Sequence, residues 1–173
     1  MSSEVTIVET RFEGVRVEVR TPAPFDKVVD RLGKLCGKSS IPELVKLARE
    51  DISEATYVSE VERRFVGESG FMLFSEIDHG GWIGKFGIKR RTVRWILGNP
   101  LIAITMLRHD ISAGLFAPVE VLLTEAEDGE GTVVTYVRPS SLIVLGDSPE
   151  LKSAAQALDR KFEALIDRMT ALR

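Results

Sequence analysis

The sequence predicts an α+β fold, an antiparallel sheet packed against a long C-terminal helix, and three patterns carry that expectation. Val15, Val17 and Val19 alternate with Arg16, Glu18 and Arg20, the period of two of a half-buried strand. Two β-rich runs, Pro118 to Thr124 and Thr132 to Arg138, flank the acidic turn Glu127-Asp128-Gly129-Glu130-Gly131, as in an antiparallel hairpin. Leu151, Ala155, Leu158, Phe162, Leu165, Ile166, Met169 and Leu172 keep a 3.6-residue period behind the Ser148-Pro149-Glu150 start signal, so that helix covers a sheet.

The remaining elements follow in order. Val5 to Thr10 reads as a first strand, ahead of Val15 to Val19. From Phe25 the period changes: Phe25, Val28, Val29, Leu32, Leu35 and Cys36 share one helical face, opened by Pro22 and Pro24 and stopped by Gly37. Ser40-Ile41-Pro42-Glu43 has the form of a capping box and starts a helix running to about Glu50. Val58, Val61 and Phe65 place another helix over Ser53 to Phe65. Phe71 to Ile77 and Val93 to Leu97 read as strands joined by a connection rich in Gly80, Gly81, Gly84 and Gly87. Gly98-Asn99-Pro100 sets an Asn N-cap before Pro at the first helical position, which predicts a helix over Leu101 to His109.

The chain is 173 residues long, the size of one domain, and the expected domain spans 1–173. Its composition, 44% hydrophobic and 28% charged, is that of a globular protein with a packed core. The longest strongly apolar stretch, Leu101 to Leu107, falls far short of the roughly 20 residues a membrane helix needs, so no membrane partner is expected. The start Met1-Ser2-Ser3-Glu4 lacks a basic, then apolar, leader, and Cys36 is a single thiol; both point to the cytoplasm. Only Asn99 and Gln156 carry side-chain amides, a mark of thermophilic sources. A net charge of −3 argues against coating nucleic acid, which rests on neutralising many phosphates.

Several short motifs resemble the domain-of-unknown-function 302 family. They are Phe74-Ser75-Glu76-Ile77-Asp78-His79, Gly98-Asn99-Pro100, Gly114 with Pro118, Tyr136 with Pro139, and the closing helix. The resembling residues cover about 12 to 38 and 70 to 172, leaving about 39 to 69 as a helical insertion. The resemblance implies a TATA-binding-protein-like arrangement, one sheet gripping a long helix, and pairing into homodimers. It implies no activity.

Candidate chemistry centres on Asp78-His79, with Glu76 two residues back. A His beside carboxylates works as a general base near neutral pH, so these three are the catalytic candidates if the chain is an enzyme. The competing structural reading is an Asx-type turn from Asp78 into Gly80-Gly81. Asn99 is either a helix cap or the mouth of an anion site at a helix N-terminus. Lys85, Lys89, Arg90, Arg91 and Arg94 put five positive charges between Trp82 and Trp95 with no acidic residue among them, either a surface for an anion, a nucleic acid or a partner protein or a solvated strand edge. His109 is the only other His and no ligand pair has metal spacing, so no metal is expected; no cofactor fingerprint occurs either.

The leading expectation is a non-catalytic module that holds a small molecule or anion between the sheet and the closing helix, near Asp78, His79, Asn99 and Arg94. A homodimer is expected as well, since Leu101 to Leu107 with Ile111, Leu115 and Phe116 carries more large apolar groups than a short helix and loop can bury.

Overall fold

The structure is a computed structural model and describes residues 5–38 and 40–172. Six strands form one sheet in the order β1-β6-β5-β4-β3-β2. The strands are β1 (Arg16–Thr21), β2 (Gly37–Lys38), β3 (Met72–Asp78), β4 (Thr92–Gly98), β5 (Val119–Glu125) and β6 (Thr132–Val137). Seven helical segments connect or cover them: α1 (Phe25–Leu35), α2 (Ile41–Ala48), α3 (Glu54–Phe65), α4 (Gly80–Ile83), α5 (Pro100–Leu107), α6 (Pro139–Ile143) and α7 (Pro149–Thr170). Short 3-10 turns occupy Gly84–Phe86 and Ile111–Leu115. The architecture is α+β.

All neighbouring pairs but one are antiparallel. The expected antiparallel sheet is present, and the exception is β2, which adds two residues parallel to β3, with Gly37 beside Met72 and Lys38 beside Leu73. It is held by Gly37 N–H donating to Phe71 O at 2.9 Å, an oxygen that also accepts from Gly67 N–H at 3.0 Å. Two expectations need correction. Residues 5–10 form no strand and lie in water, pairing with neither open edge of the sheet. Ser40 precedes α2 but makes no cap bond; the cap bond that does form is at α3, where Ser53 Oγ accepts from Thr56 N–H at 3.1 Å.

The alternation seen in the sequence sorts the sheet into two faces. Val93, Trp95 and Leu97 of β4, Val119, Val121 and Leu123 of β5, and Val134 and Tyr136 of β6 are buried beneath the helices. α7 supplies the matching stripe, and its Phe162, fully buried, packs edge-on against Tyr136 (ring centroids 5.1 Å apart) and Phe71 (5.9 Å). Ser148 caps this helix through Leu151 N–H at 3.2 Å, as its sequence predicts. On the other face Arg94, Ile96, Glu120, Leu122, Thr135 and Val137 are left open or half-open, so the sheet is covered unequally. A second, smaller core joins Leu44 and Leu47 of α2, Val61 and Phe65 of α3, and Met72 of β3, with Phe74 and Leu101 packed against it.

No helix among the described residues is long and apolar enough to cross a membrane.

The join between the two cores depends on two glycines in close approach. A Cβ on Gly37 would overlap the carbonyl of Phe65, and one on Gly67 would overlap the backbone of Cys36 and Gly37. We therefore expect Gly37→Ala to cost roughly 3 kcal/mol or more, the upper end of overpacking penalties. Gly84, at φ −57° and ψ −28° with open space around it, should accept Ala with a gain of about 0.4–1 kcal/mol. Urea denaturation of the two variants checks both values.

Candidate functional site

The four residues expected to share a site are distributed by the fold over three separate concavities. Strand alternation is the reason. Asp78 pairs with Val93 and faces the helix-covered side, whereas Ile77, opposite Arg94, faces the open side. The chain then turns into α4, and His79 comes to line the open-face groove together with Arg94 and Trp82. Asp78 and Glu76 line a polar pocket of about 520 Å³ with Lys89, Arg90 and Arg91. Asn99 lines a third cavity, of about 310 Å³. The expectation that these groups converge is thus corrected: neighbours in sequence are parted by the pleat.

Within the polar pocket, Asp78 Oδ1 accepts from Gly81 N–H at 3.0 Å, the Asx-type turn of the structural reading. A side chain at Gly81 would collide with the Asp78 carboxylate, which accounts for the glycine. The His79 carbonyl accepts from Trp82 N–H at 3.2 Å and Ile83 N–H at 3.1 Å, while its imidazole makes no hydrogen bond or ion pair with a described residue; the ring meets Trp82 edge-on at 6.0 Å, and Trp82 meets Phe86 in the same manner at 6.2 Å. Among the described residues no carboxylate is hydrogen-bonded to the His79 ring. Among the described residues no group of three or more His, Cys, Asp or Glu could hold a metal ion.

Three of the five basic residues are committed within the fold. Arg90 Nε donates to Glu125 O at 2.7 Å and its guanidinium pairs with Glu127 at 3.3 Å. Arg91 grips Asp26 with both nitrogens and lies over the Phe25 ring, 4.5 Å from its centroid. This guanidinium holds the Asp26 carboxyl below the usual aspartate range. Arg94 pairs with Glu120 across β4 and β5. Lys85 and Lys89 alone make no ion pair among the described residues, and two charges are a weak footprint for a phosphate backbone.

Asn99 serves two partners. Its Oδ1 accepts from Leu101 N–H at 2.8 Å, and its Nδ2 donates to Gly70 O at 2.9 Å, tying α5 to the turn before β3. Ile102 and Ala103 N–H both donate to Asn99 O, and Pro100 has no N–H to offer. The first-turn donors of α5 are all occupied, which leaves none for an anion.

The cavity that Asn99 lines was not visible in any motif. It opens where the two cores meet, bounded by Leu44 and Ala48 of α2, Tyr57 of α3, Phe74 of β3, and Ile102 and Ala103 of α5. Its walls are almost wholly apolar. The signal in the sequence is α5 itself, apolar on all sides: Met106 enters the core, Ala103 faces the cavity and Ile104 is nearly half exposed. Phe74 contributes because β3 carries a bulge between Leu73 and Ser75, where one extra residue turns the strand.

This fold and its cavities belong to a protein of a recognised but functionally undescribed class. The chain is a member of the family described as domain of unknown function DUF302, whose pattern it matches over residues 45–169. That match includes most of the segment 39 to 69 and begins after residues 12 to 38. No curated protein matches the chain. Among solved structures it is similar to an uncharacterized conserved protein DUF302 from Bacillus stearothermophilus, with a TM-score of 0.61 and 17% identity, over 89% of this chain and 97% of that one. A likeness at that identity concerns the fold.

Two measurements test these assignments. Burial pushes the Cys36 thiol up to about 11, against a weaker opposing pull from Ser69, so Cys36 should react with Ellman's reagent at pH 8 only after denaturant is added. Asn99→Ala removes a cap and strands the Gly70 carbonyl; a loss of about 1–3 kcal/mol in urea unfolding is expected.

Proposed function

We propose that this protein is a cytoplasmic, non-catalytic binding module whose ligand is a small, mainly apolar molecule held in the cavity between α2, α3 and α5. One observation carries the reading: a cavity of about 310 Å³ with nearly wholly apolar walls, in a chain whose candidate base, His79, lines a different concavity from Asp78 and Glu76. Its volume lies at the lower end of small-molecule sites. A concavity of this size lined by Leu, Phe, Ile and Met leaves apolar surface in water, and a fitting apolar guest removes it from water.

Tyr57 gives the guest a polar end to meet, since its hydroxyl makes no hydrogen bond with a described residue. The favoured class is a compact hydrocarbon with one hydroxyl or carboxyl group. Burial of Cys36, which removes the single thiol from solution chemistry, accords with a stable module in a reducing compartment.

The module is proposed to work as a homodimer. Ile111 and Leu115 are each 79% exposed and Ile104 47% exposed, apolar surface that a second copy would cover.

Medium-chain alcohols and carboxylates should raise the melting temperature, as any ligand selective for the folded state does. Ala103→Phe, which fills the cavity from α5, should abolish that rise while leaving the protein folded, and Tyr57→Phe should reduce it by a factor of roughly 5–10 in affinity, about one hydrogen bond. An unmoved melting temperature across such a panel removes the support for the reading.

A further inference from the structure

The open face of the sheet and the N-terminal arm each leave apolar surface in water. The arm is residues 5–11. Val5, Ile7 and Val8 on it are 91%, 82% and 82% exposed, in a run whose composition predicts a strand but which has no strand beside it. The groove lies across β4, β5 and β6, with Leu122 on its floor, Trp82 on one wall and Leu115, Phe116 and Leu142 on the other, and holds about 760 Å³.

The two features meet at one point. Phe12 packs edge-on against Phe116, ring centroids 6.0 Å apart, so the arm leaves the body at the groove's rim. The chain behind it is pinned, because Val15 N–H donates to Ser141 Oγ at 2.9 Å and Val15 O accepts from Arg138 N–H at 2.8 Å. With the groove adjacent, the arm of the same chain still lies outside it. Seven extended residues reach about 23 Å, whereas three strands span only about 10 Å, so length does not limit the fit.

We infer that the N-terminal arm of one copy docks into the open-face groove of a second copy, and that the two arms are exchanged about a two-fold axis. Each copy offers one arm and one groove, which a closed pair satisfies completely. A second body is also what the rim requires. Trp82 and Leu115 on the groove's walls are 51% and 79% exposed, and the partner's surface covers them together with the arm. This inference rests on the homodimer reading above and adds the segment and the groove that make it.

The test uses the full chain and two readouts, mass by light scattering and quenching of tryptophan emission by acrylamide. Trp95 is buried in the core, so a change in quenching reports Trp82. The wild type should have twice the 19.2 kDa mass of one chain. Ile7→Asp with Val8→Asp should raise the dimer dissociation constant on the order of 100-fold and render Trp82 readily quenched, because two desolvated anchors are lost. Leu115→Asp, in the groove wall, should do the same. A dimer that survives the arm variant but not Leu115→Asp overturns arm exchange and keeps the dimer. Dissociation by the arm variant with Trp82 quenching unchanged places the arm elsewhere and overturns the groove. A wild type of 19.2 kDa whose Trp82 is exposed by the arm variant shows the arm folding into its own groove, and a wild type of 19.2 kDa without that change overturns both readings.

Discussion

The packing of α7 against one face of the sheet is the constraint on which everything else depends. Phe162 fills the space between Tyr136 and Phe71, and the stripe from Leu151 to Met169 closes the side where β4, β5 and β6 carry their aliphatic residues. An aromatic ring of this kind buries on the order of 200 Å², so its contact sets the distance between helix and strands. Because one long helix with α1 beside it covers only one face, the opposite face is left to charged pairs such as Arg94 with Glu120 and to an apolar groove. Asymmetric cover produces the open surface, and that surface is where a partner has room.

The second constraint is the join between the two cores. α2 and α3 carry too few large apolar side chains to make a core of their own, and they lean on Met72 and Phe74 of β3 and Leu101 of α5. Their approach to the main body is limited by the backbone contacts at Gly37 and Gly67 and by Asn99 bridging α5 to Gly70. With backbone contacts fixing the separation at one end, the side chains that pack between the two layers leave space beside them. The apolar cavity lies there, bounded by both cores.

Much of this was legible in the residues. The stripe of α7, the alternation of β1, the β5–β6 hairpin and the Asn99 cap each rest on local periodicity or capping, which the sequence carries directly. What was not legible depends on contacts between distant segments. Val5 to Thr10 has strand composition, yet it pairs with neither open edge of the sheet, and pairing is a contact its own residues do not encode. β2 follows from Phe71 O accepting two backbone N–H groups, a bond set by where α3 ends. Asp78 and His79 are adjacent in the chain, and the turn into α4 sends them to different concavities. The basic run was open to two readings, a surface for an anionic partner or a solvated strand edge, because sequence hides Asp26, Glu120 and Glu127, which come from elsewhere to pair with Arg91, Arg94 and Arg90. Cavities are products of packing between elements, and neither Tyr57 nor Ala103 carries a motif that announces one.

The central claim is that the space between the cores is a ligand site, and a methyl-resolved NMR titration with n-octanol addresses it most directly. Saturable shifts confined to the methyl groups of Leu44, Leu97, Ile102, Ala103 and Val119, which surround the cavity, are the predicted result. Shifts centred instead on Leu115, Leu122 and Val137 of the open face, or no saturable shift at all, would contradict it.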